Sequence, residues 1–318
     1  MFKTSTIVTV GEILVEFVSH KKNCALREVV DYSGPYPSGA PAIFLDQAAR
    51  MGAVTEMVGG VGNDGFGRAV LDRLNADGVG TRGVTIDPDR TTGVAFVSYY
   101  DTGARDFIYH LTNTASDNFS IPTDLFSPAD SFLHVSAASL GNANMRKMIL
   151  QLTRQTASAG GKISCDPNAR PELMRDAMVR DALNEVIDSA TCLMPSTSDL
   201  DYLFPNMSED AAIDQLFNAR AEVIVIKRGA AGATVVNGTN RYDFKGHSVT
   251  EIDPTGAGDC FCGTFVSLLS QGASLRQAGE QANAAGALAV TKHGPMEGNS
   301  SPDEIATFLA DEQKELFS

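Results

Sequence analysis

Short apolar runs rich in β-branched residues alternate with helical patterns along most of this 318-residue chain, and no other feature restricts its fold as much. TIVTV (6–10), FLHVS (132–136), KISCD (162–166), TCLMP (191–195) and VIVIK (223–227) read as strands. PAIFLDQAARMG (41–52) reads as a helix closed by Gly52, and further helices fit at 143–159 and 208–219. Two long helical segments follow, 258–271 and 274–292, and an amphipathic tail covers 302–317. Strands that alternate with helices imply a parallel sheet covered on both faces. The length admits one large α/β domain or two smaller ones.

Two stretches break the rhythm. VEFVSHKKNCALREVVDYSGPYP (15–37) has strand composition and no helix. TGVAFVSYYDTGARDFIYHL (92–111) reads as a β-hairpin turning at Asp101, Thr102 and Gly103. Both lack helices of their own, so they are expected to pair as a small sheet, a lid over a site at the edge of the main one. The N-terminal MFKTSTIVTVGEILVEF is interrupted by Glu12 and Glu16 and reads as a first strand rather than a signal peptide. No apolar run approaches ~18 residues, so no membrane span is expected. The formal charge of −14 argues against nucleic acid or an anionic membrane as partner. Five scattered cysteines, with only Cys260 and Cys262 close together, fit reduced thiols in a cytoplasmic protein. His110, His134 and His247 are isolated and read as structural or surface residues.

The segment DPTGAGD (253–259) carries the chemistry. Its small residues Gly256, Ala257 and Gly258 allow close backbone approach, and the following helix aims its free N–H groups at the same place. Asp259, taken alone, reads as a first-turn acid that complements the helix dipole. In this setting a second role fits. Phosphoryl transfer to a hydroxyl needs donors for the charge on the transferred group and a carboxylate for the hydroxyl proton. GGVGNDGFG (59–67) contains a literal G-x-G-x-x-G. A dinucleotide reading is weakened by Asp64 inside the loop and by Asp77, which ends a helix rather than a second strand.

DPTGAGDCFCGTF, VGGVGNDGFG, SGAPAIFLDQAARMG and GEILVEF occur in the order and spacing of the ribokinase/PfkB carbohydrate kinases, and the chain resembles that family over essentially its whole length. The resemblance implies a ribokinase-like α/β fold: one kinase domain over 1–318, a central mostly parallel sheet flanked by helices, with a small β-sheet lid from about 15–37 and 92–111. It implies transfer of phosphate from ATP, with Mg²⁺, to a sugar hydroxyl. By position, Asp259 would be the catalytic base, and Gly256, Ala257 and Gly258 the anion hole. Glu16, Gly39 and Ala40 would line the sugar, and Arg105 and Tyr109 would reach it from the lid. Asn168 and Arg170 in DPNAR would lie near the reacting groups. Ser196, Lys227, Gly229, Asn283 and Gly286 would lie along the nucleotide. The resemblance also admits K⁺ near Asp253 and a homodimer through the lid.

Three departures stand out. Ile43 occupies a position where the family usually has asparagine. The usual N-x-x-E, tied to Mg²⁺ and phosphate, reads Ser196-Thr-Ser-Asp199. Thr264 replaces the customary Gly or Ala and is expected to change only helix packing. The expected substrate is a neutral ketohexose, fructose or tagatose, because Glu16 would repel a sugar acid and His110 follows Tyr109 where an arginine would meet one. A 2-keto-3-deoxygluconate kinase, a nucleoside kinase served by Tyr99, Tyr100, Phe107 or Tyr109, and a non-catalytic sugar or nucleotide sensor are the alternatives.

Overall fold

The computed structural model describes residues 2–102, 104–169 and 173–316. The chain opens with β1 (Thr6–Val10), β2 (Leu14–Ser19), β3 (Tyr32–Ser38), α1 (Ala40–Arg50), β4 (Thr55–Gly62), α2 (Gly65–Ala76) and β5 (Gly80–Asp87). There follow β6 (Gly93–Tyr99), β7 (Arg105–His110), β8 (Ser131–Ser136), α3 (Ala143–Ala159), β9 (Lys162–Asp166), α4 (Ala177–Ser189) and β10 (Cys192–Leu193). The last third holds α5 (Thr197–Leu203), α6 (Glu209–Phe217), β11 (Val223–Lys227), β12 (Gly232–Asn237), β13 (Arg241–Lys245), α7 (Ala257–Ser270), α8 (Leu275–Ala289) and α9 (Pro302–Leu316).

Among the described residues these strands form a nine-stranded sheet, β13-β12-β11-β10-β9-β8-β1-β4-β5, and a four-stranded one, β3-β2-β6-β7. Pairing in the large sheet is parallel from β5 to β11. It turns antiparallel at β12 and β13, a hairpin edge that the β-α reading did not anticipate. The five expected strands are all present. TCLMP is the shortest, because Pro195 has no N–H to continue the ladder, and only an isolated bridge joins Ser196 to Lys227 beyond it.

Both faces of the large sheet are covered. Along β11, Val223 and Val225 enter one apolar cluster while Ile224 and Ile226 enter the other, the period of two that a doubly covered strand requires. One cluster packs α1, α7 and α8, the other α3, α4 and α6. Helix α7 is buried continuously from Cys260 to Ser270, which explains its nearly unbroken apolar sequence. Thr264 does more than pack: its hydroxyl accepts from Gln47 Nε2 at 2.9 Å. All five cysteines are buried and free. No helix among the described residues is long and apolar enough to cross a membrane.

The loop between β4 and α2 is filled by its own aspartate. Asp64 caps α2 and accepts from Gly67 N, Thr92 N and Thr92 Oγ1, each at 2.8 Å. A carboxylate so placed opposes a pyrophosphate, so G-x-G-x-x-G here ties α2 to the start of β6.

His134 has the structural role expected of it. It lies fully buried in β8, stacks on Phe44 with ring centroids 3.6 Å apart, and meets Ser164 Oγ at 2.9 Å through Nδ1. Burial, aided by the Lys227 charge, lowers its pKa to about 3. In the unfolded chain the ring titrates near 6.5. Between those values only the unfolded chain takes up the proton, so this contribution is complete above pH 6.5 and is lost as pH falls toward 3. Lowering pH from 7.5 to 5.0 should cost about 2 kcal/mol through this residue. Denaturant titration of wild type and His134→Leu at both pH values checks it. The variant's pH-dependent loss should be smaller by that amount, and an equal loss would refute the assignment.

Candidate active site

Parallel α/β sheets open crevices beyond the carboxyl ends of their strands. Here Asp166 ends β9, Ser196 follows β10, Lys227 ends β11, and the first turn of α7 lies against them.

The turn before α7 is fixed by contacts that its sequence requires. Gly256 has φ of 80°, and a Cβ there would sit 2.3 Å from the Pro295 carbonyl oxygen and 3.2 Å from Ile43 Cγ2. Ile43 therefore closes the back of the turn. Asp253, fully buried, accepts from Thr255 N and Gly294 N at 3.0 Å each and from the Tyr99 hydroxyl. The Tyr99 hydroxyl also lies 2.5 Å from Thr255 Oγ1, and His293 Nδ1 is 3.6 Å from Asp253. Burial and then the Asp253 charge raise the Tyr99 pKa far above its usual value, so the phenol keeps its proton and donates. A cation at Asp253 would share its oxygens with these donors. Asp259 stands half-buried in the first turn of α7, beside the exposed Gly258. First-turn N–H groups of a helix lack intrahelical acceptors and form a positive end.

Strand register assembles the other wall. Glu16 pairs with Ala95, and Ala95 with Tyr109; Val97 pairs with Phe107, and Tyr99 with Arg105. Paired residues, and residues two apart along a strand, share a face. Glu16, Tyr99, Arg105, Phe107 and Tyr109 thus lie on one face of the four-stranded sheet, the face from which Tyr99 reaches Asp253. Glu16 is buried, takes a 3.3 Å contact from Ser38 Oγ, and its charge is felt at the Tyr99 hydroxyl. Tyr109 is about half-exposed and stacks on Phe107 at 5.3 Å, and Arg105 lies over the Phe107 ring at 5.4 Å. Gly39 opens α1 against the Glu12 carbonyl, with Ala40 as its first residue, and Glu12 accepts from Ser139 Oγ at 2.5 Å. The Tyr99 hydroxyl is engaged by the turn.

The remaining predicted residues divide. Asn168 follows Asp166 with φ of 38°, and Arg170 lies outside the described residues. Gly229 starts a short 3₁₀ turn just after β11. Gly286 on α8 lies beside the start of α7, since a Cβ there would be 3.5 Å from the Ala257 carbonyl. Asn283 on α8 donates to the Lys245 carbonyl at 2.8 Å. Ser196 and Asp199 form a capping box at α5. Asp199 accepts from Ser196 N at 2.7 Å, Ser196 Oγ at 2.6 Å and Ala169 N at 2.7 Å. Its carboxylate is thus turned to protein donors.

Tyr99 as a tie to the turn, Glu12, and Asp166 escaped the sequence reading. Asp166 forms a buried ion pair with Lys227, and Cys262 Sγ lies 3.7 Å from both. Burial pulls the Lys227 ammonium down, but Asp166 and Cys262 outweigh it and the net shift is upward. Burial pushes the Asp166 carboxyl up, with Lys227 opposing. We take the pair as ionised, because each charge faces the other at contact distance.

The model of the pfkB family carbohydrate kinases matches residues 4–302. The chain belongs to the pfkB family. As a pfkB protein it is a carbohydrate kinase, a phosphotransferase. It is 30% identical to the fructokinase of Vibrio alginolyticus over 308 residues, 94% of this chain and 97% of that one. Its fold is similar to that of the E. coli protein provisionally named ribokinase II, solved as the apo form and in complex with ATP and Mg²⁺. The TM-score is 0.90 and the identity 38%, over 96% of this chain and 99% of that one. It is also similar to a Vibrio cholerae fructokinase solved with fructose, ADP and calcium, with a TM-score of 0.83 and 25% identity over 96% and 99% of the two chains. The pfkB match fits the crevice described above, where a positive helix end, a carboxylate and a buried lysine meet.

Proposed function

We propose that this pfkB kinase transfers the γ-phosphoryl group of ATP to a hydroxyl of a neutral ketohexose, fructose or tagatose. The observation that carries the choice of substrate is the buried Glu16 on the sheet face that meets the turn. A sugar carboxylate ~4 Å from it would be repelled by roughly 1 kcal/mol in bulk water and about 4 kcal/mol at an effective dielectric near 20. A polyol instead offers hydroxyl donors to Glu16 and Glu12.

In this reading Asp259 accepts the hydroxyl proton, and the backbone of Gly256, Ala257 and Gly258 meets the charge on the phosphoryl group. Gly39, Ala40, Asn168, Arg170, Arg105 and Tyr109 surround the sugar. Ser196, Lys227, Gly229, Asn283 and Gly286 follow the nucleotide. The four-stranded sheet acts as a lid that excludes water. Asp199 is turned to protein donors, and among the described residues no three His, Cys, Asp or Glu side chains cluster as a metal cage. That donor set fits an ion carried by the nucleotide phosphates and its own waters, as Mg²⁺ prefers, with Asp259 in the first turn of α7 as the carboxylate that would face it. Mg²⁺ there would neutralise phosphate charge. K⁺ near Asp253 and a homodimer through the lid edges belong to the same reading.

The test is ADP release over fructose, tagatose, aldohexoses, pentoses, 2-keto-3-deoxygluconate and nucleosides. kcat/KM for a neutral ketohexose should exceed that for the sugar acid at least tenfold. A preference for the acid would show that the arginines, not Glu16, set specificity. Response to nucleosides alone would assign the stacked Phe107 and Tyr109 to a base, and binding without ADP release would make the protein a sensor.

A further inference from the structure

Lys227 lies at a place where a lysine is electrostatically costly. Its Nζ would be 3.5 Å from a Cβ on Gly258, against the first turn of α7. Cations are disfavoured at the positive end of a helix. Asp166 offsets part of this, and Cys262 Sγ at 3.7 Å is a weak acceptor. An ammonium has three donors, and the pair leaves room for another acceptor on the Gly258 side. Gly258 itself is exposed, and the Lys227 side chain keeps 13% of its surface open against 5% for Asp166. The Lys227 side chain is thus the more open of the two, and its Nζ lies against the exposed Gly258. Asp199, the nearby acid that could have carried a cation, is spent on Ser196 and Ala169 and so braces the backbone that follows Asp166.

We propose that Lys227, held by Asp166, donates to the phosphoryl group in flight between ATP and the sugar, supplying charge compensation beside the α7 backbone. The proposal rests on the phosphoryl-transfer reading of the turn. In that step the sugar oxygen forms a bond to the γ-phosphorus and its proton passes to Asp259. The bond from that phosphorus to the β,γ-bridging oxygen breaks, and its electron pair leaves with ADP. Lys227 keeps its proton throughout. Its contact is worth most when the γ-oxygens carry transition-state charge, and least with ADP alone.

The experiment compares wild type, Lys227→Met and the double variant Asp166→Asn with Lys227→Met. The single variant leaves a buried carboxylate without its counter-ion and is expected to unfold more easily. The double variant removes both charges and should recover thermal stability. If Lys227 acts on the phosphoryl group, kcat of the double variant stays down about thirtyfold, the size of a charge-assisted hydrogen bond, with KM for sugar within threefold. Calorimetric affinity for ADP should also stay within threefold, while affinity for ADP with fluoroaluminate, in the presence of sugar, falls about thirtyfold. A double variant with wild-type kcat would show that Lys227 only balances Asp166, and equal loss of both ADP affinities would show a merely structural effect. Either outcome overturns the proposal while wild-type ADP release leaves the kinase reading standing. A wild type that releases no ADP with any sugar overturns both.

Discussion

Asp259→Asn should lower turnover by roughly 10²–10⁴-fold, the range lost when a general base is removed, and leave ATP affinity nearly unchanged. The substitution keeps the shape of the side chain in the first turn of α7 and deletes its charge. Two accounts of Asp259 predict different results. If it only complements the helix dipole, its loss costs about 0.3–1 kcal/mol of stability and leaves kcat alone. If it also takes the sugar proton, the same small loss of stability is joined by a fall in kcat far larger than that loss explains. ATP would be held by backbone donors that the substitution does not touch, and the loss of a negative charge beside the phosphates offsets the loss of a carboxylate beside the Mg²⁺. Steady-state kinetics with the best sugar and a melting curve, taken together, decide between the accounts. Near-normal turnover would return Asp259 to a capping role.

Much of the fold was legible because its controlling signals are local. β1, β9 and β11 begin and end where the expected runs do, since each strand is nearly continuously buried and its run stops where burial by the covering helices stops. Helix α3 occupies the expected 143–159. The β12–β13 hairpin falls in 228–257, where the sequence reading places no element, although Asn237-Gly238 within it is a turn signal. Helix α5 was missed for a different reason. Ser196 and Asp199 stand out in the sequence as a departure from a metal-linked motif, yet Ser-x-x-Asp is also a capping box, and that is the role the fold gives it.

The site was less legible because its contacts are long-range. Lys227 was singled out, but its partner Asp166 is 61 residues away and meets it only because β9, β10 and β11 are neighbours. Tyr99 is 154 residues from Asp253, and nothing local in SYYDTG marks its hydroxyl for the turn. Strand order and register, not motif spacing, bring Glu16, Tyr99 and Tyr109 to one face.

Gly256→Ala tests whether the turn itself is the anion site, and kcat should fall by about 10²–10³-fold, as when donors to a developing oxyanion are displaced. The left-handed conformation at Gly256 costs an L-residue roughly 1–2 kcal/mol. That alone would be tolerable. The larger obstacle is the Pro295 carbonyl oxygen, 2.3 Å from the new methyl group. The methyl can be accommodated only if Pro295 or the turn retreats. Pro295 is held from both sides: Gly294 N donates to Asp253, and Asn299 Nδ2 donates to Asp46 at 2.6 Å. Ser300 exchanges two bonds with Gln47, at 2.8 and 2.9 Å. The methyl therefore forces the turn and the Pro295 segment apart, and the N–H groups of the turn shift from the phosphoryl position. Gly272→Ala provides the matched comparison. Gly272 also has a positive φ, 91°, but nothing lies within 4 Å of its Cβ position. That variant should lose stability through backbone strain and keep its turnover. If Gly256→Ala behaves like Gly272→Ala, the turn tolerates a side chain and the backbone of 256–258 is not what holds the phosphoryl group. If only Gly256→Ala loses turnover, beyond what its melting temperature explains, the backbone geometry at the start of α7 carries the catalytic charge.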